Sequence, residues 1–250
     1  MSIKTISQTD QNWNFLPNQK TAFSREYLES TLSALNLIDG QRYYFIDYYN
    51  KCLVVESSAS LILCGHPKKL ADREGFRFLR RIISDEDWKW VAGVNNRYYD
   101  VFFDTHPKNR KKLSIALELA FKTADKDEII LHHKIVPYQL CNNGNLWLSL
   151  CSVALSRHQK SKHAVLTNTK TGEKYVFDKD RFVKTRAVSL TEEELKILKW
   201  LVKGFSAEYM FASLNISESN LKRKKTVLYK KTGVHSAAEA IYWAHLEGVL

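Results

Sequence analysis

The sequence predicts an α+β domain followed by a small all-α domain of four helices. Short runs of aromatic and β-branched residues mark strands at both ends of residues 24–178, with helical patterns between them. Two glycine-containing turns, Asn142-Asn143-Gly144-Asn145 and Lys170-Thr171-Gly172, separate apolar runs as hairpins do. Residues 191–250 instead alternate short helix-period segments with Ser/Thr caps and glycine stops.

A chain of 250 residues can bury one large core or two modest ones. Hydrophobic residues at 44% and charged residues at 26% are ordinary for a globular protein. The first 23 residues are polar, contain Pro17 and have no apolar run behind a basic start, so they predict a flexible segment rather than a signal peptide. No stretch of 18 apolar residues stands ready to span a membrane. The expectation is therefore a soluble cytoplasmic protein with no membrane partner. Cys52, Cys64, Cys141 and Cys151 form no C-x-x-C pair and no paired histidines complete a zinc site, so no metal is expected.

The net charge of +11 attracts polyanions without separating nucleic acid from acidic membranes. Its distribution says more. Residues 157–190 hold nine Lys/Arg against three Asp/Glu, and residues 222–231 hold six Lys/Arg and no acid.

In chain order, Ser24 caps a helix over Arg25 to Leu37, with Tyr27, Leu28, Leu32 and Leu35 along one face. Tyr43 to Tyr49, Leu53 to Glu56 and Leu61 to Cys64 suit short strands. Residues 70–125 read as mostly helical, through Phe76, Phe78, Leu79, Ile82 and Ile83, then Trp88, Trp90 and Val91, and a second run from Leu113 to Phe121. Strands return at Glu128 to Leu140, Leu146 to Leu155, Ala164 to Thr167 and Lys174 to Phe177. Residues 179–190 are basic without a clear period and read as a linker.

Two or three short strands, helices, then long antiparallel strands is an order that resembles a PAS sensor domain. Ile83-Ser84-Asp85-Glu86-Asp87 and Asn143-Gly144-Asn145-Leu146-Trp147 look like patches of that family. The resemblance implies a small ligand or a protein partner sensed by residues 24–178. No cofactor is assigned: no cysteine stands in a flavin-adduct motif, and His132 and His133, on a predicted strand, are expected to point to opposite faces, where either could ligate haem but a lone histidine is usually structural. Trp88, Trp90, Tyr98, Tyr99, Phe102 and Phe103 line either a pocket or simply the core. Chain length and module order also resemble quorum-sensing regulators with an acyl-homoserine lactone domain, which is the alternative for the sensor.

Thr191-Glu192-Glu193-Glu194 is a capping box, followed by Leu195, Leu198, Leu201 and Val202 on one face and a Lys203-Gly204 stop. Ser206 opens a second helix with Met210, Phe211 and Leu214 as its apolar side. Asn215-Ile216 makes a tight turn and Ser217 caps a third helix. Ser236-Ala237-Ala238-Glu239 reads as a second capping box. Two helices across a two-residue turn describe a helix-turn-helix. Leu190-Thr191, Glu194, Leu198, Gly204-Phe205-Ser206, Leu214-Asn215-Ile216-Ser217-Glu218, Leu221-Lys222, Lys231, Gly233-Val234, Glu239-Ala240 and Gly248-Val249-Leu250 resemble the LuxR-type DNA-binding domain. The chain departs from that pattern at Ala207 to Phe211, Asn220-Leu221, Lys224, Lys225, Thr232 and Ala237, which bears on operator sequence rather than fold.

On the third helix Leu221, Leu228 and Thr232 point one way, with Lys225 between them. Ser219, Lys222, Arg223, Thr226 and Lys230 point the other. A helix fits the major groove of double-stranded DNA, where Arg223 can bond O6 and N7 of guanine, Lys222 a base or phosphate, and Thr226 a thymine methyl. Lys224, Lys225, Lys230 and Lys231 suit phosphates, as do the helix starts at Ser206 and Ser217. The fourth helix is apolar nearly all round and needs burial on more than one side. The family resemblance implies a homodimer through Ala237, Ala240, Ile241, Trp243 and Ala244. The alternative is packing against the first domain.

Together these readings predict a sequence-specific transcriptional regulator and not an enzyme. The chain holds no P-loop, H-E-x-x-H, G-x-S-x-G or G-x-G-x-x-G. The competing classes are an enzyme with an incidental basic tail, using Asp85, Glu86 and Asp87, and an RNA binder, for which the third helix offers only Tyr229 for stacking.

Overall fold

Ser24 opens the first helix as its sequence predicts. Its hydroxyl accepts from the Tyr27 amide at 3.1 Å, and α1 runs over Arg25–Asp39. The computed structural model describes residues 23–40, 42–156, 162–185, 188 and 190–246, so most of the expected flexible segment and Gly248 to Leu250 lie outside the described residues. The chain forms two compact units, Met1–Thr185 and Arg186–Leu250.

On α1, Leu28 and Leu32 are buried while Tyr27 is exposed and packs on Phe23, ring centroids 5.2 Å apart. Asn36 is buried in its place. Its side-chain oxygen accepts the amides of Arg42 and Tyr43 at 3.1 and 3.0 Å, which ties α1 to the strand that follows.

One antiparallel sheet organises the first unit. Its strands are β1 (Tyr43–Asp47), β2 (Cys52–Val54), β3 (Leu113–Lys122), β4 (Glu128–Leu140), β5 (Leu146–Leu155), β6 (His163–Asn168), β7 (Glu173–Asp178) and β8 (Arg181–Lys184). Their spatial order is β2-β1-β5-β4-β3-β6-β7-β8. Asp47 closes the first hairpin, accepting the Tyr49 and Asn50 amides at 2.9 and 3.0 Å. The Asn-Gly turn joins β4 and β5 as expected, with Gly144 at φ 80°. A Cβ there would stand 2.8 Å from the Arg110 guanidinium, so the position needs glycine twice over.

Four helices follow β2: α2 (Lys68–Glu74), α3 (Phe76–Ile82), α4 (Asp85–Asp104) and α5 (Pro107–Arg110). Adjacent residues of β1 divide the core between the two faces of the sheet. Tyr44 and Ile46 pack with Ala71, Phe78, Ile82 and Val91 from α2, α3 and α4. Phe45 packs with Leu28 and Leu32 of α1. Alternation along a strand is what lets one segment serve both layers.

Three expectations are corrected. Leu61–Leu63 is a 3₁₀ turn, not a strand, closed by Leu63 and Cys64 amides on the carbonyls of Ser60 and Leu61. Leu113 to Phe121 is strand β3, not helix. Leu113, Ile115, Leu117, Leu119 and Phe121 are all buried, an alternation of period two that the alanines between them disguise. Residues 179–190 contain β8, which pairs with β7 through Asp178 and Arg181. The intervening Lys179 and Asp180 both take positive φ, 44° and 67°, the backbone of a tight two-residue hairpin turn.

The second unit is α6 (Glu192–Val202), α7 (Ala207–Leu214), α8 (Glu218–Thr232) and α9 (Ala237–Leu246). Its core is its own: Ile197, Leu198, Trp200, Met210, Leu221, Leu228, Val234, Ala240, Trp243 and Ala244.

Candidate nucleic-acid interface

Helix caps set the geometry of the second unit. Thr191 and Glu194 form the predicted capping box, the Thr191 hydroxyl accepting the Glu194 amide at 3.2 Å and the Glu194 carboxylate accepting the Thr191 amide at 2.8 Å. Ser206 and Ser217 cap α7 and α8 through the amides of Tyr209 and Asn220 at 3.2 and 3.3 Å. Asn215, at φ 53°, turns the chain between those two helices. At the start of α9 the second box is modified. The Ser236 hydroxyl accepts the Glu239 amide at 3.1 Å, but the Glu239 carboxylate reaches back to the amide of His235 at 2.9 Å.

These ends hold α8 with one side inward. Leu221, Leu228 and Thr232 are buried. The Thr232 hydroxyl donates to the Leu228 carbonyl at 2.8 Å, so its polarity is satisfied within the helix. Ser219, Lys222, Arg223, Thr226 and Lys230 are exposed together on the other side, and Ser206 and Ser217 are exposed at the starts of α7 and α8. Arg223 donates to the Asn220 side-chain oxygen at 3.3 Å. The Thr226 hydroxyl donates to the Lys222 carbonyl at 3.0 Å, which leaves its methyl for a partner.

The remaining lysines divide. Lys225 is half-buried. Lys224 donates to Glu193 at 2.6 Å, and Lys231 lies 2.7 Å from Glu194, so both tie α8 to α6. Burial pushes the Glu194 carboxyl up, but Lys231 and the Thr191 amide outweigh it and leave the group below the usual carboxylate range. An open groove of about 340 Å³ runs between these helices, lined by Thr191, Glu193, Glu194, Ile197, Arg223, Lys224 and Val227. The pairing of Glu193 with Lys224 was not legible in the sequence, because the two stand 31 residues apart and no local pattern joins them.

Of the residues expected at a dimer contact, Ala240, Trp243 and Ala244 belong to the core of this unit. Ala237 and Ile241 remain half-buried. The apolar circumference of α9 is thus covered largely by its own domain.

In the first unit the acidic trio is a helix start. Ser84 accepts the Asp87 amide at 3.1 Å, Asp85 pairs with Arg80, and Glu86 and Asp87 pair with Lys162. His132 and His133 do point to opposite faces. His132 lies 2.7 Å from Glu118, and His133 shares a buried hydrogen bond of 2.6 Å with the Tyr44 hydroxyl. Tyr98 and Phe102 are core residues. Among the described residues no group of three or more His, Cys, Asp or Glu could hold a metal ion, and no helix is long and apolar enough to cross a membrane.

Residues 188–244 match the bacterial regulatory proteins of the luxR family. The carboxy-terminal unit thus carries a LuxR-type helix-turn-helix domain. The transcriptional regulatory protein YdfI of Bacillus subtilis is 36% identical over 61 residues, which are 24% of this chain and 29% of that protein. The similarity thus spans less than a third of that relative. Among solved structures, a Vibrio cholerae VqmA dimer without its target DNA is 15% identical over 87% of this chain and 88% of that one, with a TM-score of 0.28. A VqmA–ligand–DNA complex is 15% identical over 85% of each chain, with a TM-score of 0.29. Scores this low define no shared fold.

Proposed function

We propose that this chain is a sequence-specific, DNA-binding transcriptional regulator. The observation that carries the reading is the shared exposure of Ser219, Lys222, Arg223, Thr226 and Lys230 on one side of α8, while Leu221 and Leu228 anchor the other side in the core. In a LuxR-type domain that side enters the major groove. There Arg223 reads a guanine, Lys222 a base or phosphate, and the Thr226 methyl a thymine. Lys225 and Lys230, with the helix starts at Ser206 and Ser217, take phosphates.

The protein acts as a homodimer that places two copies of α8 on half-sites about one helical turn apart. From α9, the contact falls to Ala237 and Ile241. The first unit is a PAS-like sensor. Support comes from the β2-β1-β5-β4-β3 portion of its sheet, with α2 to α5 inserted between β2 and β3. Support for a small hydrogen-bonding ligand comes from Tyr98, 3% exposed, whose hydroxyl has no partner among the described residues.

Selection of bound fragments from a random duplex pool tests the function. The expected result is a paired motif with half-sites about 10 base pairs apart. An unenriched pool, or preference for structured RNA in competition, overturns the reading. For the sensor, a metabolite panel that changes neither melting temperature nor operator affinity counts against it.

A further inference from the structure

Helix α6 brings two consecutive carboxylates to α8, and the two ion pairs they form differ in kind. Glu194 has 11% of its side chain exposed and is held by both Lys231 and the Thr191 amide. Glu193 has 41% exposed, and among the described residues it accepts only from Lys224, at 2.6 Å. Lys224 itself is the neighbour of Arg223, and both line the open groove. The Glu194 bridge is part of the domain's frame. The Glu193 bridge is only partly buried, with the Lys224 side chain 27% exposed, and can be exchanged.

We propose that Glu193 sets the affinity for DNA by competing with a phosphate for Lys224. In the free protein the ammonium is held by the Glu193 carboxylate. On binding it leaves that oxygen for a phosphate oxygen, and the trade subtracts from the affinity the domain could otherwise reach. This rests on the DNA-binding reading above. An exposed ion pair shifts an equilibrium by a factor of roughly one to five, which bounds the effect. A lysine that reaches a phosphate displaces condensed counterions and steepens the salt dependence by about one unit.

The experiment compares the full-length protein with Glu193→Gln, Lys224→Gln and the double variant on one selected duplex, by fluorescence anisotropy from 50 to about 200 mM salt. Thermal melts accompany each. Glu193→Gln is expected to bind about two- to five-fold more tightly, with its melting temperature lowered by no more than about a few degrees because one weak ion pair is lost. Lys224→Gln binds more weakly and loses about one unit of salt slope. In the double variant the gain from Glu193→Gln disappears. The proposal is overturned if Glu193→Gln leaves affinity unchanged, or if it tightens binding equally without Lys224. It is also overturned if binding weakens as the melting temperature falls, the mark of a structural tie. A wild-type protein that binds no duplex refutes the DNA-binding reading instead, before any variant is compared.

Discussion

Single side chains on α8 separate reading from anchoring. Arg223 is exposed, its guanidinium held among the described residues by the Asn220 side chain at 3.3 Å, so it can leave for a base edge at small cost. Arg223→Ala should relax preference at one base pair by about 1–3 kcal/mol, seen as degeneracy at a single position when the fragment selection is repeated. Lys230→Ala should weaken every sequence alike and lower the salt slope by about one unit. A sequence-selective loss would contradict its phosphate role. In the other unit, His133 is held neutral by burial, its pKa lowered to about 3 from 6.5 with His132 adding to the effect. Tyr44 faces it from β1 and Cys151 lies beside Tyr44 on β5. The unfolded chain binds a proton below pH 6.5 that the folded one refuses. Stability from this group is therefore complete above 6.5 and falls by about 1.4 kcal/mol per pH unit as pH drops toward 3. Urea midpoints across that window should fall more steeply for wild type than for His133→Gln, and equal slopes would refute the assignment.

Elements show what a sequence discloses and what it withholds. Ser24, Thr191, Ser206 and Ser217 were legible as caps because a cap is satisfied within three residues of itself. The β4–β5 hairpin was legible because Asn143-Gly144 demands a positive φ. Strand β3 was not, since Ala116, Glu118 and Ala120 on its second face imitate a helical composition while the odd positions carry the real period. Strand β8 was hidden because four residues at a sheet edge need little apolar content. Helix α9 shows the same limit for sites. A helix apolar nearly all round asks for partners, and the sequence could not say that α6 and α8 supply most of them. Trp243→Ala should therefore unfold the second unit, at a cost of about 3–5 kcal/mol. Ile241→Asp, at a half-buried position, should instead lower the dimer fraction in sedimentation velocity while the helical CD signal persists. If Trp243→Ala leaves the melt intact and only dissociates the dimer, this division of α9 is wrong.

At the scale of the whole molecule, the question is whether recognition and sensing are separable. Among the described residues, the buried core of the second unit is built from positions 197–244, with Leu190 packed against it, all within Arg186–Leu250. A domain of about 60 residues buries only some 60% of its unfolded surface, which makes it marginal but able to fold alone. The capping box and the Glu194–Lys231 bridge add support that a core of this size needs. A fragment spanning residues 186–250 should then melt cooperatively and bind the selected duplex. If Ala237 and Ile241 give only a weak dimer contact, the fragment meets its two half-sites almost independently. The full chain, with its first unit also available for association, meets the second half-site as an intramolecular event. That difference is worth a factor of about 10²–10⁴ in affinity when the half-site spacing fits. The expected result is a fragment that binds one half-site as tightly as the full chain does, but the paired site at least a hundredfold more weakly. Equal affinity of fragment and full chain for the paired site would place the whole dimer contact within residues 186–250. The first unit would then act on DNA binding by some route other than bringing the two copies together.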